Sequence, residues 1–131
     1  MTLQDFNKLY RYRSDPDGID QWRIPSYDES GLLQDDCDGF SLSVLYYVIA
    51  RESWLRFWCL LVFGSAKIYY VTNEGAGHAV LRYKGKYIDN WTRRWVSKAH
   101  MESLGHTFHW SRSYYFWQVA LKMLLTKLRT L

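Results

Sequence analysis

The chain of 131 residues is long enough for one domain and short for two ordinary ones, and it can bury a core without a metal or disulfide staple. Its 48% hydrophobic and 23% charged residues exclude a disordered tail. Two prolines and eight glycines exclude collagen-like and low-complexity chains, and two cysteines cannot form a secreted disulfide framework. The net charge of +4 hides a split: residues 1–40 hold nine acids against four bases, and residues 41–131 hold thirteen bases against four acids. The acids gather around Cys37 rather than in a tail, so the acidic segment is expected to fold back on the basic body. No apolar run of signal-peptide length opens the sequence. Arg51, Glu52 and Arg56 interrupt the most apolar stretch, so a soluble, cytoplasmic protein with no membrane partner is expected.

Thr2 with Asp5 forms a capping-box pattern ahead of Leu3, Phe6, Leu9 and Tyr10, which predicts a helix over 2–12. Ser14-Asp15-Pro16-Asp17-Gly18 reads as a turn. Asp15, Asp17 and Asp20 lack the spaced ligands and closing Glu of a calcium loop. Asp36 is a good N-cap, and Phe40, Val44, Tyr47 and Val48 mark one face of a helix over 37–52. The run 57–63 is continuously apolar and is expected to be a strand buried on both faces, with Cys59 in the core. A second strand is expected at 68–71, then a small-residue loop over 72–77, then a strand from His78 to Tyr83. Lys84-Gly85 is a tight turn, and 86–90 returns. A short helix is expected over 97–104 with Gly105 as its stop. An amphipathic helix is expected over 114–129, with Trp117, Leu121, Leu124, Leu125 and Leu128 facing inward and a basic outer face.

Three segments carry chemistry. Cys37 falls in the first turn of its helix, where unpaired N–H groups and the helix dipole favour a thiolate and can hold an oxyanion. The neighbouring Asp35, Asp36 and Asp38 oppose that thiolate by charge, so a histidine partner has to outweigh them. His78 begins a strand, and Asp89 ends the returning one. With a two-residue turn at Lys84-Gly85, paired residues have numbers summing to 169. His78 then faces Trp91, and Asp89, opposite Val80, lies diagonal to His78 on the same face. Asn90 points to the other face; a three-residue turn would select Asn90 instead. A Cys37–His78–Asp89 triad of nucleophile, general base and orienter follows.

The strings Asp35-Asp36-Cys37-Asp38-Gly39-Phe40, Gly77-His78-Ala79-Val80-Leu81 and Ile88-Asp89-Asn90 resemble the nucleophile, histidine and aspartate motifs of bacterial transglutaminase-like cysteine proteinases, in that family's order. Trp22-Arg23-Ile24-Pro25 matches upstream, and the resemblance covers about residues 20 to 95. It implies an α+β, papain-like transglutaminase core. In that fold a nucleophile helix packs on an antiparallel sheet, and a C-terminal amphipathic helix follows here. It also implies thiol-dependent chemistry on a protein or peptide substrate: hydrolysis, deamidation or acyl transfer, with no cofactor. The chain departs from the family at Asp35, where Gly is usual, and at Gly39, where an acidic or polar residue is usual. Trp22, Gln34 and Asp38 are the candidates for oxyanion or substrate contacts. Trp22 also suits packing, and Gln34 lies awkwardly close to Cys37.

His100, His106 and His109 are spaced like a zinc set, but no second cysteine or HExxH pattern joins them, so no metal is expected and a solvated or packing role is assigned. Arg93, Arg94, Lys98, Arg112, Tyr114, Tyr115 and Trp117 could contact single-stranded nucleic acid. No RNA-binding signature accompanies them, and a core with a basic rim explains them. The competing functional expectation is a non-catalytic, protein-binding module on the same fold.

Overall fold

The computed structural model of the chain describes residues 1–13 and 21–129, and the side chains of all of these except 109–112. The turn expected at 14–18, the aspartates 15, 17 and 20, and the side chains of His109 and Arg112 lie outside the described residues.

Helix α1 (Leu3–Leu9) starts at Thr2, whose hydroxyl accepts from the Asp5 amide while the Asp5 carboxylate accepts from the Thr2 amide. It ends sooner than expected because Tyr10–Tyr12 becomes a short strand, β1, parallel to β2 (Leu33–Asp35). Strand β2 feeds α2 (Cys37–Ser43), and the backbone continues as a π-helix over Val44–Ile49. Asp36 caps α2 through its side chain, which accepts from the Gly39 amide at 3.0 Å.

The apolar run at 57–63 is not a strand. It belongs to α3 (Trp54–Val62), started by Ser53, whose hydroxyl accepts from the Arg56 amide at 3.3 Å. A continuous apolar run has no period, so the capping serine is the signal that decides it. Only Phe57 and Leu61, one helical turn apart, are buried. Cys59 is exposed rather than in the core.

A curled antiparallel sheet follows, in the order β5-β4-β3-β6: β3 (Ala66–Asn73), β4 (Ala76–Tyr83), β5 (Lys86–Ile88) and β6 (His106–Tyr114). The expected loop over 72–77 is a two-residue turn. Glu74 (φ 52) and Gly75 (φ 82) both have positive φ, as a type I′ hairpin requires, so Ala76 and Gly77 are already in the strand. Lys84 (φ 51) and Gly85 (φ 75) repeat that geometry, and the register is Tyr83 to Lys86, Arg82 to Tyr87 and Leu81 to Ile88. Helix α4 (Lys98–Ser103) is capped by Ser97.

The sheet has two covered faces. Ile68, Ala79, Leu81 and Ile88 pack with Phe6, Tyr10, Phe40, Leu42 and Phe57 in the main core beneath α1–α3. Val71 and Val80 point to the other face and pack with Val96 and Met101.

Helix α5 (Phe116–Arg129) lies where expected but is turned over. Val119 and Thr126 are buried, whereas Trp117, Leu121, Leu124, Leu125 and Leu128 are 41–56% exposed. A polar latch sets this orientation: the Thr126 hydroxyl accepts from the Trp22 amide at 2.8 Å, and the Lys122 ammonium lies over the Trp22 and Tyr114 rings at 5.2 and 5.5 Å. Among the described residues no helix is long and apolar enough to cross a membrane.

Candidate functional site

Strand register assembles the site. His78 pairs with Val71 and His106 pairs with Asn73, so both histidines flank β3 on the same face of the sheet. Asp89 follows β5 directly, one residue past Ile88, and so falls on that face too. All three side chains are buried.

The Asp89 carboxylate accepts five hydrogen bonds. Its Oδ1 takes the Thr92 hydroxyl at 2.8 Å and the amides of Thr92 and Trp91 at 2.8 and 3.1 Å. Its Oδ2 takes His78 Nε2 at 2.8 Å and His106 Nε2 at 2.7 Å. Burial alone would raise this carboxyl, but the hydrogen bonds from His106, His78 and Thr92 outweigh it and hold it far below the ordinary carboxylate range. Asp89 is therefore an acceptor only, and both Nε2 atoms must carry the ring proton. His78 is left with its lone pair on Nδ1. Trp91 stacks on the His78 ring at 4.2 Å and 16°.

Cys37 begins α2 and packs against β4. The backbones of Ala79, the residue after His78, and of Asp38 lie near enough to draw its thiol somewhat down. The Asp38 Oδ1 lies 4.0 Å from the sulfur. Burial first, then the charges of Asp38 and Asp36, push the thiol well above its ordinary value. The resting thiol is protonated, against the thiolate that the helix start alone favours. Among the described residues the sulfur makes no hydrogen bond to the His78 ring.

Asp35 and Gly39 explain each other. The Asp35 side chain is buried beneath the first turn of α2, with Oδ1 accepting from the Asp36 amide at 2.8 Å and Oδ2 lying 3.8 Å from Arg23 Nε. A Cβ on residue 39 would sit 2.5 Å from Asp35 Cβ and closer still to its carboxyl group. The carboxyl of Asp35 thus fills the space that a side chain at residue 39 would need. The Asp35 carbonyl accepts from the Tyr10 hydroxyl at 2.6 Å and the Arg13 amide at 2.9 Å, so the N-terminal segment braces the start of the cysteine helix.

The remaining candidates lie elsewhere. Trp22 is a packing residue, edge-on to Tyr114 at 4.8 Å and under Lys122. Gln34 Nε2 donates to Asp28 Oδ2 at 2.6 Å and so holds a loop. Asp38 stays beside the sulfur.

His106 is the site residue that sequence reasoning missed; it is neither solvated nor plain packing. The alternation of Phe108 and Trp110 with polar residues after Gly105 is the strand signal that could have placed it. His78, Asp89 and His106 hold three possible ligand atoms within 4.8 Å of one another. Ligands at tetrahedral zinc stand roughly 3.3 Å apart, whereas both histidines contact Asp89 at direct hydrogen-bond length. The Asn73 amide nitrogen, which also donates to the Leu104 carbonyl at 3.1 Å, faces His106 Nδ1 at 3.4 Å. That donor fixes the His106 lone pair on Nδ1, away from the cluster. The cluster fits a hydrogen-bonded relay better than a metal centre.

No protein-family model matches the chain, and no curated protein or solved structure shows significant similarity to it. Fold and site define a mixed α+β protein with a buried His-Asp-His cluster on one sheet face and a cysteine at a helix start beside the same strand.

Proposed function

We propose that the chain is a transglutaminase-like cysteine hydrolase on a papain-like core, acting on a peptide or side-chain carboxamide bond. The observation that carries this reading is the His78 Nε2 to Asp89 Oδ2 hydrogen bond of 2.8 Å, with Cys37 at the start of a helix that packs on the same strand, β4. In this reading the thiol leaves Asp38 to reach His78 Nδ1 during catalysis, a contact that free enzymes often lack. His78 then takes the thiol proton as sulfur attacks the carbonyl carbon. Amides at the start of α2 hold the oxyanion. The imidazolium, stabilised by Asp89, returns the proton to the leaving amine or ammonia. Water activated by His78 then hydrolyses the thioester and regenerates the thiol. The substrate is a protein or peptide, no cofactor takes part, and the protein works in the cytoplasm.

The test needs no substrate. In a Cys59→Ser background, which removes the exposed thiol, iodoacetamide should label Cys37 at least about tenfold faster in the parent than in its His78→Ala variant. Equal rates reject the triad.

A protonated thiol facing Asp38 and the outward apolar stripe of α5 favour a second reading, a binding module on this fold. A biological activity that survives Cys37→Ala selects it.

A further inference from the structure

We propose that His106 shares the Asp89 carboxylate with His78 and so withholds negative charge from His78, holding down its strength as the base for the Cys37 thiol. This inference rests on the triad reading and deepens it. The geometry is specific. Both Nε2–H groups reach the same oxygen, Oδ2, at 2.7 and 2.8 Å, while Oδ1 is fully engaged by Thr92 and Trp91. A carboxylate oxygen that accepts two donors gives each a weaker bond than it would give one alone.

The shorter of the two contacts belongs to His106. Its ring is fully enclosed, and its Nδ1 faces the Asn73 amide. His106 thus donates Nε2–H to Asp89 while its Nδ1 is held from β3 by Asn73. It acts through Asp89 on His78, which makes it a positioning residue. Relief comes when something draws His106 away from Oδ2. The full charge of that oxygen then falls on His78, which takes the thiol proton more readily.

A residue that only supported the fold would, when removed, change labelling through thiol exposure and leave the His78 imidazole proton in place; a competitor for charge raises labelling and also moves that proton downfield. In the Cys59→Ser background, His106→Phe should raise the rate of Cys37 alkylation at neutral pH by about fivefold to tenfold, the effect of freeing one charge-assisted hydrogen bond. His106→Gln, which keeps an N–H donor, should stay within about twofold of the parent. The parent's NMR spectrum should show two exchange-protected imidazole N–H protons at low field, both lost in Asp89→Asn. In His106→Phe one should vanish and the His78 proton should move further downfield. A folded His106→Phe protein that labels no faster, or a parent spectrum with one such proton, overturns the inference. Should His78→Ala leave Cys37 labelling unchanged, the triad reading fails instead, and the two-proton spectrum still decides whether Asp89 is shared.

Discussion

Adding one methyl group at Gly39 tests how α2 is seated. In an open helix Gly→Ala would stabilise by about 1 kcal/mol. Here the new Cβ would lie 2.5 Å from Asp35 Cβ, with the carboxyl nearer still, a spacing real Cβ atoms do not show. The Asp35 main chain cannot retreat, because its carbonyl is held by the Tyr10 hydroxyl and the Arg13 amide. The side chain must leave instead, giving up its bond to the Asp36 amide. Overpacking costs about 1–3 kcal/mol and a charge-assisted hydrogen bond about 1.5–3 kcal/mol. After the propensity gain, Gly39→Ala should destabilise by about 2–4 kcal/mol. In an Asp35→Gly background the obstacle is gone, and the same change should stabilise by about 1 kcal/mol. Urea unfolding followed by tryptophan fluorescence gives all four corners of the cycle. A neutral Gly39→Ala, or an equal cost in both backgrounds, would refute the reasoning.

Three further outcomes follow from the geometry. Val119→Ala should cost about 1.5–2.5 kcal/mol in urea unfolding, while Leu121→Gln stays within about 0.5 kcal/mol, because α5 buries the former and exposes the latter; a larger cost at Leu121 would mean the helix is not turned over. The depressed Asp89 carboxyl binds its proton more readily in the unfolded chain, so its contribution is complete above the unfolded value near ~4 and is lost as pH falls below it. Melting temperatures of Asp89→Asn should therefore depend less on pH in that acidic range than those of the parent. The raised Cys37 thiol behaves oppositely: its contribution is complete below the unfolded value near ~8.5 and is lost as pH rises past it. Cys37→Ala should flatten the alkaline loss of stability, and an unchanged alkaline slope would show that the thiol is not buried.

The caps and turns were legible because their physics is local. Thr2 with Asp5, Asp36, Lys84-Gly85 and Gly105 fix elements through neighbours a few residues away. The hairpin register followed from turn length alone, and with it the placement of His78 and Asp89 on one face. The run at 57–63 misled because an unbroken apolar stretch has no period.

Side-chain identity in the chain set which groups are present: a cysteine at a helix start, a histidine at a strand start and a carboxylate past a hairpin. Tertiary packing decided what surrounds them. It brought His106, 17 residues from Asp89 and on the far edge strand, onto the same oxygen as His78, and it turned the half-buried Cys37 sulfur toward Asp38, where desolvation and that charge raise the thiol. It also turned α5 over through the Trp22–Thr126 bond, which spans 104 residues. Periodicity shows which residues share a face, but not which face a distant partner will cover. Charge sharing and desolvation likewise depend on distances between segments that the linear order leaves open.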